Sequence, residues 1–252
     1  ESSKIFRKNI NTKIISITGS CGKTTLKELL GKILKKISRT SISPKSFNNR
    51  LGVPLSLFNL KQNDDFGVLE VGMDKKGEID YLSKIIFPDV SVITNVNYAH
   101  AKNFKNIENI ASAKAEIIPN TKSNGFVVLN ADDNFFSFHK KIALKNNLCV
   151  KSFGIKNQIS NIKLIRIKKE KKKFKIFVKI KNSKKYFYIN NDFKNNIYNI
   201  LAALAVISIY FNILKLNKNI FLDFNTPQGR GDFSRLKINR KNINLIDESY
   251  NS

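Results

Sequence analysis

The sequence predicts an α/β fold, a mainly parallel phosphate-loop sheet flanked by helices, with a small antiparallel β subsheet. Three observations lead there. Short β-branched runs alternate with amphipathic helical stretches, the pattern of successive βαβ units. The first run empties into a glycine loop that opens a helix. From residue 161 to 190 the hydrophobic period falls to two, the signature of half-buried strands.

Taken in order, Ile14-Ile15-Ser16-Ile17 is the first strand. The loop Thr18-Gly19-Ser20-Cys21-Gly22-Lys23-Thr24-Thr25 follows it. Leu26, Leu29, Leu30, Ile33, Leu34 and Ile37 then recur at helical spacing, with Lys27, Glu28, Lys32 and Lys35 on the other side. Residues 66–69 make a second strand that ends at Glu70, and 77–86 a helix that Pro88 cannot continue. Residues 90–94 are a third strand, 95–106 a polar loop holding His100, 107–118 a helix closed by Pro119, and 126–129 a fourth strand. Phe174, Ile176, Val178 and Ile180 alternate with Lys175, Phe177, Lys179 and Lys181, which places a small antiparallel sheet beside the main one. Its lysines read as the wet face of a strand, against the alternative that they track phosphates while Phe and Tyr stack bases. Residues 196–216 read as one apolar helix, 225–231 as a turn-rich linker, and 236–238 and 243–246 as two short β-like runs.

Composition excludes several classes. A chain of 252 residues with 42% hydrophobic content can bury a core and is not disordered. Its longest apolar stretch, 197–216, is interrupted by Asn199, Ser208, Asn212 and Lys215. It reads as a buried helix, since a membrane span needs ~20 mostly apolar residues, and no membrane insertion is expected. Cys21 and Cys149 make no disulfide framework, so the expected compartment is the cytoplasm. Lys plus Arg 45 against Asp plus Glu 19 gives +26, which attracts any polyanion. Yet the cations are spread along the chain, Lys, Asn and Ile are abundant throughout and Trp is absent. Composition drift therefore accounts for the charge, and nucleic acid is not an expected partner.

The chemistry gathers at strand ends. In the glycine loop, backbone N–H groups and the helix N-terminus favour an anion, Lys23 can reach terminal phosphates, and the Thr24 hydroxyl can ligate Mg²⁺. The common spacing of such loops wants glycine at position 17, where Ile17 stands. Ligands of open parallel sheets sit beyond the carboxyl ends of the strands, where Glu70, Asn95 and His100 also arrive. His139 lies in a Phe- and Lys-rich helical stretch without such company and reads as structural. On the helix 107–118, Ile107, Ile110, Ala111, Ile117 and Ile118 form one stripe with Lys114 at its centre and Glu116 opposite, toward solvent. An inward lysine snorkels, pairs with an acid or loses its charge, and an uncharged one is a nucleophile or adds CO₂ to become a carbamate ligand.

These residues together resemble the Mur ligase family. Its variant phosphate loop looks like Thr18 to Thr25, including the missing first glycine. Similar segments are Phe47-Asn48-Asn49-Arg50-Leu51-Gly52-Val53-Pro54-Leu55, Glu70-Val71-Gly72-Met73 with Gly77-Glu78-Ile79, Ile93-Thr94-Asn95 with Ala99-His100, and Ala113-Lys114-Ala115-Glu116-Ile117. Gly229-Arg230 and Ile246-Asp247-Glu248-Ser249-Tyr250-Asn251 look like the family's passage into its carboxyl-terminal domain. Two departures stand out: Phe193-Lys194-Asn195-Asn196 replaces Gly-x-His-Asn, and Glu248 replaces an aspartate.

The resemblance implies an ATP-dependent carboxylate–amine ligase working through an acyl phosphate in peptidoglycan precursor synthesis. It implies ATP and Mg²⁺ as cofactors, UDP-N-acetylmuramoyl-tripeptide and D-alanyl-D-alanine as partners, and a monomer. Lys23, His100 and Lys114 would be catalytic. Gly19, Ser20, Cys21, Gly22, Lys23, Thr24, Thr25, Asn196, Asn199, Arg230 and Asp247 would hold ATP. Asn48, Asn49 and Asn95 would line the substrate, and Thr24, Glu70, His100 and a carbamylated Lys114 would hold metal. By the same resemblance the chain is cut at both ends: 1–12 a linker from an amino-terminal domain, 13–226 the central ATP-binding domain, and 227–252 a linker and the start of a carboxyl-terminal domain. Alone it is expected to be inactive. The Asn48-Asn49 and Ala99-His100 segments favour the dipeptide-adding member over a sister ligase or a folate polyglutamate ligase; the rival from another class is a basic P-loop NTPase that binds nucleic acid.

Overall fold

The computed structural model describes residues 2–98, 103–171, 173–190, 193 and 196–227, together with the backbone course of 232–238 and 241–247. The main sheet begins with β1 (Lys13–Thr18), β2 (Thr40–Ile42), β3 (Phe66–Glu70), β4 (Val90–Ile93), β5 (Phe126–Asn130) and β6 (Cys149–Gly154). It continues with β7 (Ile162–Glu170), β8 (Lys173–Ile180) and β9 (Ser183–Asn190). The strand order is β2-β3-β1-β4-β5-β6-β7-β8-β9. Pairing is parallel from β2 through β7 and antiparallel across β7, β8 and β9. The expected antiparallel strands are therefore present, but they extend the main sheet instead of standing beside it. The seam is short, with only Phe153 opposite Ile162 and Gly154 opposite Lys163.

The helices are α1 (Ser2–Lys8), α2 (Lys23–Leu34), α3 (Gly52–Phe58), α4 (Glu78–Ile86), α5 (Ile107–Ala115), α6 (Phe136–Lys145) and α7 (Ile197–Tyr210). Alternate residues of each central strand point to opposite faces. Thus Ile15 and Ile17 of β1 join the cluster under α2 and α7, while Ile14 joins the one under α3, α4 and α5. Because both faces are covered, β1 reads as a continuous apolar run. Strands β10 (Asp232–Ile238) and β11 (Lys241–Asp247) form a separate antiparallel pair.

Some elements differ from the sequence reading. The helix expected over 196–216 stops at Tyr210, because the Asn212 side chain accepts the Leu214 N–H at 3.0 Å and closes a separate 3-10 turn, Ile213–Lys215. No described helix is long and apolar enough to cross a membrane. The stretch read as a linker holds α1, tied down by Arg7. That guanidinium is 4% exposed, pairs with Asp89 at 2.9 Å and donates to the Ile86 carbonyl at 2.7 Å. Helices α1 and α3 and strands β2 and β6 had no distinct signal: seven residues or fewer leave too few turns or alternations to read.

Candidate active site

Strand β1 delivers the glycine loop to the carboxyl edge of the sheet, and two backbone positions there admit only glycine. Gly19 has φ +145°, and a Cβ on it would lie 1.9 Å from the Thr94 Oγ1. Gly22 has φ +82°, and its Cβ would meet the Asn199 Oδ1 at 2.8 Å. The loop is clamped by the segment after β4. The Ser20 N–H donates to the Asn95 carbonyl at 3.0 Å, and the Cys21 N–H to the Asn95 Oδ1 at 3.0 Å. Thr94 Oγ1 donates to the Cys21 carbonyl at 2.6 Å. Asn95, expected to line substrate, also shapes the loop. Helix α2 starts at Lys23 with no side-chain cap, which leaves its N-terminal dipole to an anion. The Lys23 Nζ folds back on the carbonyls of Gly19 and Ser20, at 2.9 and 3.4 Å.

Beside the loop a chain of polar contacts crosses three elements. Thr24 Oγ1 donates to Glu70 Oε2 at 2.6 Å, and Asn48 Nδ2 donates to Glu70 Oε1 at 2.8 Å. Glu70 is 1% exposed, so its carboxylate is held in place by these donors. Asn49 also acts on the backbone, where its Oδ1 accepts the Leu51 and Gly52 N–H groups at 3.1 and 2.8 Å and begins α3. A cleft of ≈ 420 Å³ opens here, lined among others by Lys23, Asn48, Asn49, Arg50, Asp74 and Glu78. The Arg50 guanidinium lies over the Tyr81 ring at 5.2 Å, so the cleft presents both a cation and carboxylates to a ligand.

Lys114 is buried, at 1% exposure, as its place in the apolar stripe demands. Burial, and then the nearby charge of Lys23, push its amine down to about 7, with Cys21 opposing. Glu116, read as facing solvent, instead is half-buried: it accepts the N–H groups of Gly77 at 2.8 Å and Asp80 at 3.1 Å, the open start of α4. On the far side of the loop, Asn199 Nδ2 donates to Asn196 Oδ1 at 3.1 Å, and Asn196 Nδ2 to Thr226 Oγ1 at 3.4 Å. His139 is buried with its ring nitrogen 3.1 Å from the Ala111 carbonyl, and burial lowers its pKa. His100 and Arg230 lie outside the described residues, as does the side chain of Asp247.

A second residue was misplaced by periodicity. Lys27, read as solvent-facing, is fully buried; its Nζ donates to the Ser43 carbonyl at 2.7 Å and to the Lys45 carbonyl, and pairs with Glu28 at 3.0 Å. Ser43 Oγ in turn accepts the Glu70 N–H at 3.3 Å. Lys27 thereby ties α2 to the stretch that carries Asn48. The available signal was its spacing: position 27 shares a helix face with Leu30, Gly31 and Leu34.

Residues 17–207 match the Mur ligase middle domain. The UDP-N-acetylmuramoyl-tripeptide–D-alanyl-D-alanine ligase of Buchnera aphidicola subsp. Baizongia pistaciae is 31% identical over 251 residues, covering 98% of this chain and 52% of the relative. The ligase of the same name from Rickettsia prowazekii is 30% identical, over 98% of this chain and 54% of that protein. MurF of Acinetobacter baumannii superposes with TM-score 0.86 at 27% identity, covering 98% of this chain and 52% of its own. MurF of Thermotoga maritima in complex with ADP gives TM-score 0.85 at 26% identity, covering 98% of this chain and 55% of that one. The chain spans about half the length of these relatives.

Proposed function

The chain belongs to the Mur ligase family, and on that footing we propose that it is the nucleotide-binding portion of a cytoplasmic, monomeric ligase that joins D-alanyl-D-alanine to UDP-N-acetylmuramoyl-tripeptide with ATP. Residues 13–226 are the nucleotide-binding unit, 1–12 the lead-in from an amino-terminal domain, and 227–252 the passage to a carboxyl-terminal one. The observation that carries the reading is the contact chain Asn48–Glu70–Thr24 beside the loop, with Lys114 buried within electrostatic reach of Lys23.

In the reaction, a carboxylate oxygen of the tripeptide attacks the γ-phosphorus of ATP, the bond to ADP breaks, and an acyl phosphate forms. The amine of D-alanyl-D-alanine then attacks the acyl carbon, loses a proton, and inorganic phosphate leaves. Lys23 and the start of α2 hold the phosphates and offset charge gathering on the transferred group. Thr24 and Glu70 present adjacent hard oxygen donors, a pair that suits Mg²⁺. A bound divalent cation there supplies charge neutralisation between carboxylate and triphosphate. Lys114 at about 7 is substantially uncharged at neutral pH, the form that adds CO₂; as a carbamate, with His100, it would hold a second cation. By the family resemblance, Asn196 and Asn199 would face the adenine, Arg230 would reach the γ-phosphate and Asp247 the ribose, while Asn48, Asn49 and Asn95 would border the peptide.

Calorimetric titration tests the site directly. The chain binds Mg²⁺–ADP, and Lys23→Ala weakens binding at least about a hundredfold. Given ATP and both substrates, the chain alone releases no ADP; joined to its flanking domains it releases ADP only when tripeptide and dipeptide are both present. Nucleotide binding indifferent to Lys23 refutes the site, and turnover by the chain alone refutes the domain reading.

A further inference from the structure

The antiparallel extension concentrates charge that the rest of the chain dilutes. Residues 162–190 hold twelve Lys and Arg against one acid, Glu170, whereas the remaining chain holds 33 against 18. Uniform drift in composition does not produce that asymmetry. Nor are the cations scattered within the extension. Phe174, Ile176 and Val178 of β8, with Phe187 and Ile189 of β9, enter the core with α7, so their neighbours share the opposite face.

The strand register orders that outer face into rows. Lys163, Lys179 and Lys184 lie directly opposite one another across β7, β8 and β9. The next row is Arg166, Phe177 and Tyr186, and the one after it Lys168, Lys175 and Tyr188. Like charges placed opposite one another repel, and Glu170 gives the face a single internal counter-charge, 3.9 Å from Lys175. The rings are neighbours, Phe177 5.9 Å from Tyr186 and Tyr186 5.6 Å from Tyr188. Cations already lie against them: Arg166 at 4.5 Å from the Phe177 ring and Lys173 at 3.6 Å from that of Tyr188.

We propose that this outer face of β7, β8 and β9 is a docking surface for single-stranded nucleic acid, with the lysine rows taking phosphates and the Phe177, Tyr186 and Tyr188 rings taking bases. A polyanion relieves the repulsion within the rows, and unpaired bases supply flat partners for the rings. A duplex buries those base faces and so offers the rings no partner. An anionic membrane offers the charge but no flat partner for the rings.

The test is fluorescence anisotropy of a labelled oligothymidylate of ~15 nucleotides, within the usual range of single-strand site sizes. The triple variant Lys163→Gln, Lys179→Gln, Lys184→Gln weakens binding about tenfold or more and lowers the salt slope by about 2. A control of equal charge loss on α6, Lys140→Gln, Lys141→Gln, Lys145→Gln, changes it less than about twofold. Tyr186→Leu with Tyr188→Leu weakens binding while leaving the salt slope in place, and the matching duplex binds about tenfold more weakly than the single strand. Circular dichroism verifies that each variant is folded. The proposal is overturned if the control weakens binding as much as the face variant, if the duplex binds equally well, or if the tyrosine variant binds as the parent does. Capture by phosphatidylglycerol vesicles at a salt concentration that releases the oligonucleotide assigns the face to membranes instead.

Discussion

The two halves of the sheet use side chains in different ways. In the parallel half, strands such as β1 and β3 are buried along both faces, so their interiors carry packing alone and their chemistry is displaced to the ends. Gly19, Thr24 and Glu70 all lie at or just past a carboxyl end. In the antiparallel half each strand has one wet face, and its polar groups are spread along its length at every second residue. The first arrangement gathers a few groups from distant segments into close contact. The second yields a repetitive surface from one local stretch. A substitution at a strand end therefore disturbs several elements, whereas one on the wet face disturbs few.

The sharpest test of that contrast is Gly19→Ala. A methyl group at this φ runs into the Thr94 hydroxyl, so the loop and the β4 edge must separate. The expected loss is about 2–4 kcal/mol in urea unfolding, with loss of Mg²⁺–ADP binding. A smaller effect comes from Lys27→Met, which leaves the Ser43 and Lys45 carbonyls without their buried donor. It costs about 1–3 kcal/mol. It also reduces the strengthening of ADP binding by Mg²⁺ more than it reduces metal-free binding, because Glu70 and Asn48 lose their support. Faster hydrogen exchange in residues 43–50, with α2 unchanged, is the accompanying signature. The smallest effect belongs to the wet face. Lys179→Gln, flanked by Lys163 and Lys184, changes stability by at most about 0.5 kcal/mol and in the stabilising direction. A loss of about 2 kcal/mol there, the size expected only where buried partners are broken, defeats the comparison.

Legibility followed the same division. The glycine loop was readable because its residues are contiguous and its neighbours declare a strand and a helix. Lys114 was readable because a lysine inside an apolar stripe violates the pattern. Lys27 was not, since a lysine at the border of an amphipathic face looks the same whether it reaches out to water or inward to a neighbouring loop's carbonyls. Glu116 escaped for a related reason: its partners, Gly77 and Asp80, come from another helix. Asn49 and Asn95 were located at the site, while their further hydrogen bonds, one to the start of α3 and the other clamping the loop, depend on the fold. The cation-rich extension was read from its alternation as the wet face of a strand, and only the register reveals which lysines face each other.

By itself, the sequence determined the alternation of the longer strands and helices, the loop that opens α2 and the inward place of Lys114, because each depends on periodicity or on adjacent residues. The tertiary structure decided that β7 joins β6, that Thr24, Asn48 and Glu70 share hydrogen bonds, and that Lys163, Lys179 and Lys184 stand in one row. Those outcomes depend on which distant segments pack together. Local propensity says nothing about that choice, which is made by burial summed over the whole core.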